Sequence, residues 1–275
     1  MDVTSPATPA AAAIPVSAAQ LAGAFRAFPP PALLDVRRAE SFARDPVLIP
    51  HAIRCDPGAV DAWSHALEPW REVVVYCVHG HELGQGVAAA LARGGLTARY
   101  LAGGLEGWRA FGGQTVPAAA PSRWVTRARP KIDRIACPWL VRRFVDPAAE
   151  FFYVPNAEVR AFAAANNAEP YDVPDVKYTH DGARCSFDAF IRIHALDDRA
   201  LDDLARIVRG ADTGALDLAH ESSGLVAASL GLSRMFHDDH AMLRWGMLMY
   251  DALYAWCREA RGETHGWNPA LLRAA

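Results

Sequence analysis

The chain has 275 residues, which at about 150 residues per domain predicts two domains. Apolar residues make up 52% of the sequence and charged residues 21%. This balance excludes a wholly disordered chain and allows a buried core without disulfides. The formal net charge of −3 excludes a general electrostatic attraction to nucleic acid or to an anionic membrane.

The cysteines are odd in number and widely scattered, and no two of them form a CxxC pair. This pattern excludes a zinc ribbon and a thioredoxin-type dithiol, and it argues against a disulfide-stapled secreted fold. We therefore expect free thiols in a cytoplasmic protein. The five positions are Cys55, Cys77, Cys137, Cys185 and Cys257.

Residues 1–16 are rich in alanine and proline and contain neither lysine nor arginine. A secretory signal needs a positive start, so a disordered tail is the better interpretation of this segment. No run approaches the roughly 20 apolar residues of a membrane helix, and we expect no membrane partner.

The first half of the chain alternates short apolar runs with helical patterns. Strands are predicted at 32–36, 73–76 and 99–101, and helices at 85–93 and 105–111. Because short buried strands that alternate with helices pack into parallel sheets, this half is predicted to have an α/β fold.

A proline-bounded run at 116–122 indicates a semi-rigid linker, which we place at 118–123. Helical patterns dominate after it, and strands are expected only at 151–154 and 176–178. The second half is therefore predicted to be a mainly helical α+β domain. Its predicted helices cover 133–144, 157–165, 188–194, 199–209, 222–235 and 240–258.

The most informative local pattern is VVYCVHGHE, from Val74 to Glu82. A buried strand ends at Cys77, a short loop with a central glycine follows, and then a helix begins. Backbone N–H groups of such a loop and of the first helical turn can form a cradle for an anion, and the same positive end favours the thiolate. A thiolate there is suited to attack sulfur or to carry it as a persulfide, and His79 and His81 can add donors.

Two other interpretations of this pattern stay open on the residues alone. Free cysteines are often buried and inert at strand ends, which is an equally good account of Cys77. The pair His79 and His81 also resembles part of a metal site, but it lacks further ligands at a set spacing.

Four ordered segments resemble the rhodanese family. They are LLDVRRAESF at 33–42, IPHAI at 49–53, the loop at 74–82 and YLAGGLEGW at 100–108. The resemblance implies a rhodanese-like domain over 17–117, with Cys77 as the catalytic nucleophile that carries sulfur. The active-site loop would then comprise Val78, His79, Gly80, His81, Glu82 and Leu83.

The resemblance also implies a structural role for Asp35 and Arg37, since an Asp/Arg pair near a strand end is usually a hydrogen-bonded brace. Two positions depart from the family pattern. Glu82 stands where sulfurtransferases of the family often carry a basic residue, and its carboxylate opposes an anionic donor such as thiosulfate. His51 replaces the usual glycine of the second segment.

The second half opens with a locally basic stretch from Trp124 to Phe144. Arginine and lysine clustered near a helix start suit an oxyanion, through forked donors and the helix dipole. A solvated basic face explains the same residues equally well, and Asp133 could cap the helix. The oxyanion-binding candidates are Arg127, Lys131, Arg134, Arg142 and Arg143.

His180, Cys185 and Asp188 bring an imidazole, a thiol and a carboxylate within nine positions. Such a set could bind a transition metal, although it matches no common zinc spacing. The alternative is that Ser186 or Asp188 caps a helix and that Cys185 packs inward.

Several long segments between about residues 123 and 262 resemble the C-terminal domain of ChrB-type chromate resistance proteins. They include WVTRARPKIDRIACPWLVRRF at 124–144, FFYVP at 151–155 and CSFDAF at 185–190. The resemblance implies that residues 124–275 act in chromate response or resistance. ChrB-type regulators carry a different N-terminal region, assigned to DNA contact, so direct DNA binding is not expected here.

These observations lead to a cytoplasmic rhodanese-type sulfurtransferase, with a persulfide on Cys77, fused to a chromate-response domain. Its expected partners are a small sulfur donor, a thiol acceptor, and chromate or sulfate. No cofactor is required, and a metal ion in the second domain stays open. The alternative is a non-catalytic oxyanion sensor whose rhodanese-like domain serves as a thiol-sensing or interaction module.

Overall fold

The computed structural model of the chain describes residues 13–263. The strands are β1 Ile14–Val16, β2 Ala32–Asp35, β3 Val47–Leu48, β4 Ala52–Arg54, β5 Val73–Tyr76, β6 Ala98–Leu101, β7 Val116–Pro117, β8 Arg123–Arg127, β9 Glu150–Val154 and β10 Glu169–Pro170. The helices are α1 Ala18–Ala24, α2 Ala39–Arg44, α3 Val60–Trp63, α4 Glu82–Arg93, α5 Gly104–Ala110, α6 Asp133–Leu140, α7 Val159–Asn166, α8 Ser186–Ile193, α9 Arg199–Thr213, α10 Glu221–Met235 and α11 Asp239–Ala255.

The N-terminal domain is built on a parallel sheet in the order β1-β6-β5-β2-β4. Its central strand β5 is buried along its whole length. Successive side chains point to opposite faces, so Val74 and Tyr76 enter one core while Val73 and Val75 enter the other. The predicted α/β fold with a parallel sheet and flanking helices is confirmed.

The expectation of a tail over residues 1–16 is wrong at its C-terminal end. Residues 14–16 form β1, which pairs in parallel with β6 at the edge of the sheet. Val16 is buried there, while Ile14 is 60% exposed, so this short strand has little of the apolar pattern that predicts one. The rest of the predicted tail, residues 1–12, lies outside the described residues.

The C-terminal domain contains a small parallel sheet in the order β10-β8-β9. Strand β8 lies in the basic stretch and was not predicted. Its three buried central residues are flanked by Arg123 and Arg127, so the segment lacks the apolar run that predicts a strand. The strand expected at 176–178 is absent from the described residues. Tyr178 makes only an isolated bridge to Tyr171.

Helices α6, α8, α9, α10 and α11 enclose the main core of this domain, as the helical pattern predicts. Helix α6 continues as a π-helical turn over Val141–Val145. The helix and this turn together cover the predicted helix at 133–144. Helix α9 runs four residues past its predicted end at 209 and stops at Gly214, whose φ of 75° suits glycine. The mainly helical character of this half is confirmed.

The two domains meet across a buried polar network centred on Asp251 of α11, which is 3% exposed. Its carboxylate accepts hydrogen bonds from Trp139 Nε1 at 2.8 Å and from Arg143 Nε at 2.8 Å. Two contacts cross to the N-terminal domain: Trp70 Nε1 donates to Asp251 Oδ2 at 3.0 Å, and Arg143 Nη2 donates to Glu68 Oε2 at 2.7 Å.

Between residues 13 and 263, no helix has both the length and the apolar character that crossing a membrane requires.

Candidate functional site

Cys77 directly follows the central strand β5 and is 6% exposed. Its Sγ lies against the first turn of α4, since a Cβ added at Gly84 would stand 3.4 Å from it. The free N–H groups of a helix start carry partial positive charge. The thiol is thus held at the positive end of α4 by a buried strand.

The loop after Cys77 packs against a second glycine loop that precedes α5. Gly80 has φ +68°, and a Cβ there would lie 2.5 Å from the Leu101 carbonyl oxygen. Gly104 has φ +59°, and a Cβ there would lie 2.5 Å from the carbonyl oxygens of Cys77 and Val78. Only glycine fits at either position. The two loops therefore pack backbone against backbone next to Cys77.

The other loop residues form the rim of this site. His79 and His81 are exposed, with ring centroids 5.6 Å apart, and His79 Nδ1 lies 3.1 Å from Glu106 Oε2. Glu82 is exposed at the first position of α4, while Val78 and Leu83 are half-buried. The structure therefore assembles all the predicted loop residues around Cys77.

A surface cavity of about 340 Å³ adjoins this rim. Val78 and His79 contribute to its lining, together with Arg44 and Arg109. Cys77 is not among the lining residues that the structure describes.

Arg37 is 1% exposed, and each nitrogen of its guanidinium donates at least one hydrogen bond. Its Nε and Nη2 donate to Asp35 Oδ2 at 2.9 and 2.6 Å, and its Nη1 donates to the Asp45 carbonyl oxygen at 3.0 Å. Nη2 also donates to the Val47 carbonyl oxygen. The pair ties the segment around 45–47 to the end of β2, and Arg37 also contributes to the lining of the adjacent cavity.

His51, which stands where the family segment has glycine, adopts φ +64°. This is the left-handed region, where glycine is favoured because it lacks a Cβ. The backbone shape of the segment is therefore kept despite the change of residue.

The five predicted oxyanion candidates do not form one cluster. Arg127 Nη2 and Arg134 Nε lie 2.9 and 3.4 Å from Asp172 Oδ2. Lys131 makes no ion pair within residues 13–263. Arg142 and Arg143 lie beyond the C-terminal end of α6, and at 1.5 Å per helical residue this is roughly 12 Å from Arg134.

Arg142 and Arg143 instead face a cavity of about 280 Å³ between the two domains. Arg143 is paired with Asp251 and Glu68. Arg142 donates only to the Ala149 carbonyl oxygen, at 3.2 Å, and has no carboxylate partner among the described residues. Burial lowers the pKa of Arg142 from its ordinary value. The lining also includes Arg71, Arg258, His51, Phe28 and Tyr254.

A separate cluster of carboxylates surrounds His180 in the C-terminal domain. The Nε2 atom lies 3.1 Å from Asp212 Oδ2, 3.5 Å from Asp172 Oδ1 and 3.7 Å from Asp133 Oδ2. Asp133 begins α6, Asp212 lies near the end of α9, and Asp172 and His180 lie in the connection between β10 and α8. Ligand atoms of Asp133, His180 and Asp212 all lie within 4.8 Å of one another, in an arrangement that could hold a metal ion.

Asp133 is completely buried within this cluster. Its Oδ2 accepts the N–H groups of Ser186 at 2.6 Å and Phe187 at 3.3 Å, and so caps the start of α8. Its Oδ1 is also buried but has no hydrogen-bond partner among residues 13–263. Burial, followed by the charges of Asp212 and Asp172, raises the pKa of Asp133 well above its ordinary value.

Of the predicted metal set His180, Cys185 and Asp188, the structure brings only His180 into this cluster. Asp188 accepts the Cys185 N–H at 2.9 Å and is paired with Arg209, which leaves it engaged elsewhere. Cys185 is buried, and burial raises the pKa of its thiol well above the ordinary value.

Sequence reasoning considered Asp133 only as a helix cap and missed Asp172 and Asp212 as possible ligands. The cluster joins positions 133, 172, 180 and 212, which no local spacing connects. A single histidine near an acidic residue was the one available signal.

A parallel sheet whose central strand leads through a cysteine loop into a helix defines a rhodanese-like domain, and the family model of the rhodanese-like domain matches residues 17–111. The second half matches the family model described as ChrB, C-terminal domain, over residues 124–257. The chain thus joins a rhodanese-like domain to a ChrB C-terminal domain.

Among curated proteins, the chain is similar to Protein ChrB of Cupriavidus metallidurans, with 32% identity over 133 residues. This match covers 48% of the chain and 40% of that relative's length. Similar solved structures include a rhodanese-related protein of Thermoplasma volcanium, which is 23% identical with a TM-score of 0.33 over 38% of this chain and 97% of that one. A rhodanese-like domain protein of Staphylococcus aureus is 20% identical with a TM-score of 0.32 over 34% and 90% of the respective chains.

Proposed function

We propose that the N-terminal domain is a sulfurtransferase that carries sulfur as a persulfide on Cys77. The position of Cys77 Sγ carries this proposal, because it lies at the end of a buried strand and against the first turn of α4. Helix N–H groups at that place stabilise an incoming anion. Gly80 and Gly104 allow the two loops to pack closely together beside Cys77.

The reaction has two displacement steps. The Cys77 thiolate attacks the outer sulfur of the donor, a new S–S bond forms, and the donor's bond to that sulfur breaks. The leaving group, sulfite in the case of thiosulfate, departs with the electron pair. An acceptor thiolate then attacks the terminal sulfur, and Cys77 leaves again as a thiolate, so no external oxidant or reductant is needed.

The test is the intact mass of the full-length protein after incubation with thiosulfate, 3-mercaptopyruvate or cysteine persulfide. We expect a reducible gain of about one sulfur atom per chain. Cys77→Ser should abolish this gain, while Cys55→Ser should keep it, because burial raises the pKa of Cys55 to about 11. Equal sulfur loading in the Cys77→Ser variant would contradict the proposal.

A second candidate function, supported by a different observation, is oxyanion sensing by the fused chain. The cavity between the domains presents Arg142 without a carboxylate partner among the described residues. Guanidinium groups are suited to chromate and sulfate, which are both tetrahedral dianions. By similarity to the ChrB family, this activity would serve chromate resistance in the cytoplasm, where free thiols such as those of this chain persist.

Equilibrium binding of radiolabelled sulfate and of chromate to the full chain tests this second function. Replacing Arg142 by glutamine should weaken both by about tenfold, as expected for losing one charge-assisted hydrogen bond. Arg160→Gln is a matched control, because Arg160 is exposed and remote from the cavity lining. The same weakening in both variants would show non-specific attraction and would exclude the cavity as the sensor site.

A further inference from the structure

We propose that Asp133, His180 and Asp212, with Asp172 beside them, form a binding site for one divalent transition-metal ion in the ChrB C-terminal domain. This inference is independent of the sulfur-carrier function. It concerns a different domain and residues that neither the Cys77 loop nor the cavity between the domains uses.

The spacing of the donor atoms agrees with the edges of a coordination polyhedron. Metal–ligand bonds of about 2.1 Å place adjacent ligand atoms roughly 3.0 Å apart in octahedral and 3.4 Å apart in tetrahedral geometry. His180 Nε2 lies 3.1 to 3.7 Å from oxygens of the three carboxylates. The ligands come from separate elements, and α6 and α9 hold two of them.

A single hydrogen bond from His180 does not account for this arrangement. An Nε2–H group can donate one good hydrogen bond, and Asp212 at 3.1 Å is the carboxylate within that range. Asp133 and Asp172 lie farther away, at 3.7 and 3.5 Å. A cation with several coordination positions can be shared by all of them.

Asp133 provides the independent sign of a missing ligand. Its side chain is 1% exposed, and its Oδ1 has no hydrogen-bond partner within residues 13–263. A buried carboxylate oxygen without a partner is energetically costly, so such atoms are rare unless they bind something. Among the described residues, His180 is the only cationic partner of Asp133 and Asp212.

Asp172 is held differently from the other two carboxylates. Arg127 and Arg134 pair with its Oδ2, and Ser186 Oγ donates to its Oδ1 at 2.8 Å. These contacts fix its orientation and offset its charge. We therefore assign Asp133, His180 and Asp212 as direct ligands and Asp172 as the residue that positions or completes the set.

The donors and the exposure of the site define the kind of ion. Two carboxylates and one imidazole suit Mn²⁺, Fe²⁺, Co²⁺ or Zn²⁺, whereas an all-oxygen set would suit Mg²⁺ or Ca²⁺. Exposure rises from 1% at Asp133 through 19% at Asp212 to 41% at His180. An ion can thus enter past His180 and become buried against Asp133.

The experiment is equilibrium dialysis of the full-length protein, first stripped with EDTA, against Mn²⁺, Co²⁺ or Zn²⁺, followed by elemental analysis. We expect one ion per chain. Asp133→Asn and Asp212→Asn should each weaken binding at least tenfold. Asparagine keeps an acceptor for the α8 cap, so the fold of the Asp133→Asn variant should be retained.

His180→Gln removes a partly exposed side chain and provides a second test that does not depend on Asp133. In the Co²⁺-loaded protein it should change the visible absorption spectrum, because a nitrogen ligand is lost. The control is Asp181→Asn, which removes an adjacent carboxylate that is 71% exposed and should leave binding unchanged. Absence of stoichiometric binding, or equal binding by all folded variants, would overturn the site. Sulfur loading of Cys77, measured on the same samples, reports separately on the other proposal.

Discussion

The Cys77 loop and the Asp133–His180–Asp212 cluster differ in the groups that they offer to a charged ligand. The loop uses backbone N–H groups and two glycines, and its rim is exposed. The cluster uses side-chain carboxylates, one of them completely buried. Backbone dipoles favour anions and need no ionised side chain, whereas carboxylates favour cations and raise one another's pKa values when they are crowded. The two proposed sites thus favour charges of opposite sign and lie in adjacent domains.

The largest effect is expected where the two regions are joined. Asp251→Ala removes the shared acceptor of Arg143, Trp139 and Trp70. Loss of one partner of a buried ion pair costs about 3–5 kcal/mol, so stability to urea should fall by that amount. Separate unfolding transitions for the two domains should also appear. An unchanged single transition would contradict the importance of this network.

A smaller but still large effect is expected from the backbone of the anion site. Gly104→Ala puts a Cβ 2.5 Å from two carbonyl oxygens at φ +59° and should cost about 2–4 kcal/mol. Gly86→Ala in α4 is the matched control, because nothing lies within 4 Å of its added Cβ. It should stabilise the helix by about 0.5–1 kcal/mol. Urea unfolding and sulfur loading of both variants test this prediction. Equal stability and equal loading of the two variants would contradict it.

Glu82→Arg changes the sign of one charge at the anion site without touching the glycines. We expect turnover with thiosulfate to rise several-fold, since attraction replaces repulsion at the exposed start of α4. The same change should lower stability by about 0.3–1 kcal/mol, because a cation is unfavourable at a helix N-terminus. Steady-state assays with thiosulfate and with uncharged donors separate the two effects. A fall in turnover with intact folding would assign Glu82 a role in catalysis.

The last prediction concerns Cys55, the thiol of the N-terminal domain that we expect to react slowly at neutral pH. Burial raises the pKa of Cys55 to about 11, so only a small fraction is thiolate at neutral pH. Its alkylation rate should rise about tenfold per pH unit from pH 7 to 10 and level off only near pH 11. Mass spectrometry after iodoacetamide pulses gives the rate. A plateau near neutral pH would show that Cys55 is also activated.

The anion site could be predicted because its parts are contiguous. Strand, cysteine, glycine and helix start follow one another between Val73 and Glu82, so local patterns and family resemblance describe them together. β1 and β8 were missed for local reasons as well: Ile14 is exposed, and arginines flank the buried centre of β8.

The cation cluster could not be predicted, because its members meet only after α6 and α9 have packed. From the sequence, Asp212 was assigned to a turn after a helix ending at 209, whereas α9 continues to Thr213 and carries Asp212 to His180. The same holds for Asp251, whose partners Glu68 and Trp70 lie in another domain. Buried charged residues that pair over long sequence distances produce no periodic pattern in the sequence, so they cannot be predicted from it.

The network around Asp251 also limits how this gene product could be recombined. Arg143 is 1% exposed because Glu68 of the neighbouring domain covers it, and Trp70 completes the set of donors to Asp251. A ChrB C-terminal domain without this N-terminal domain would expose Arg143 and Asp251 without their partners Glu68 and Trp70. Any exchanged N-terminal module would have to offer a carboxylate and an N–H donor at the same places to keep Arg143 and Asp251 paired.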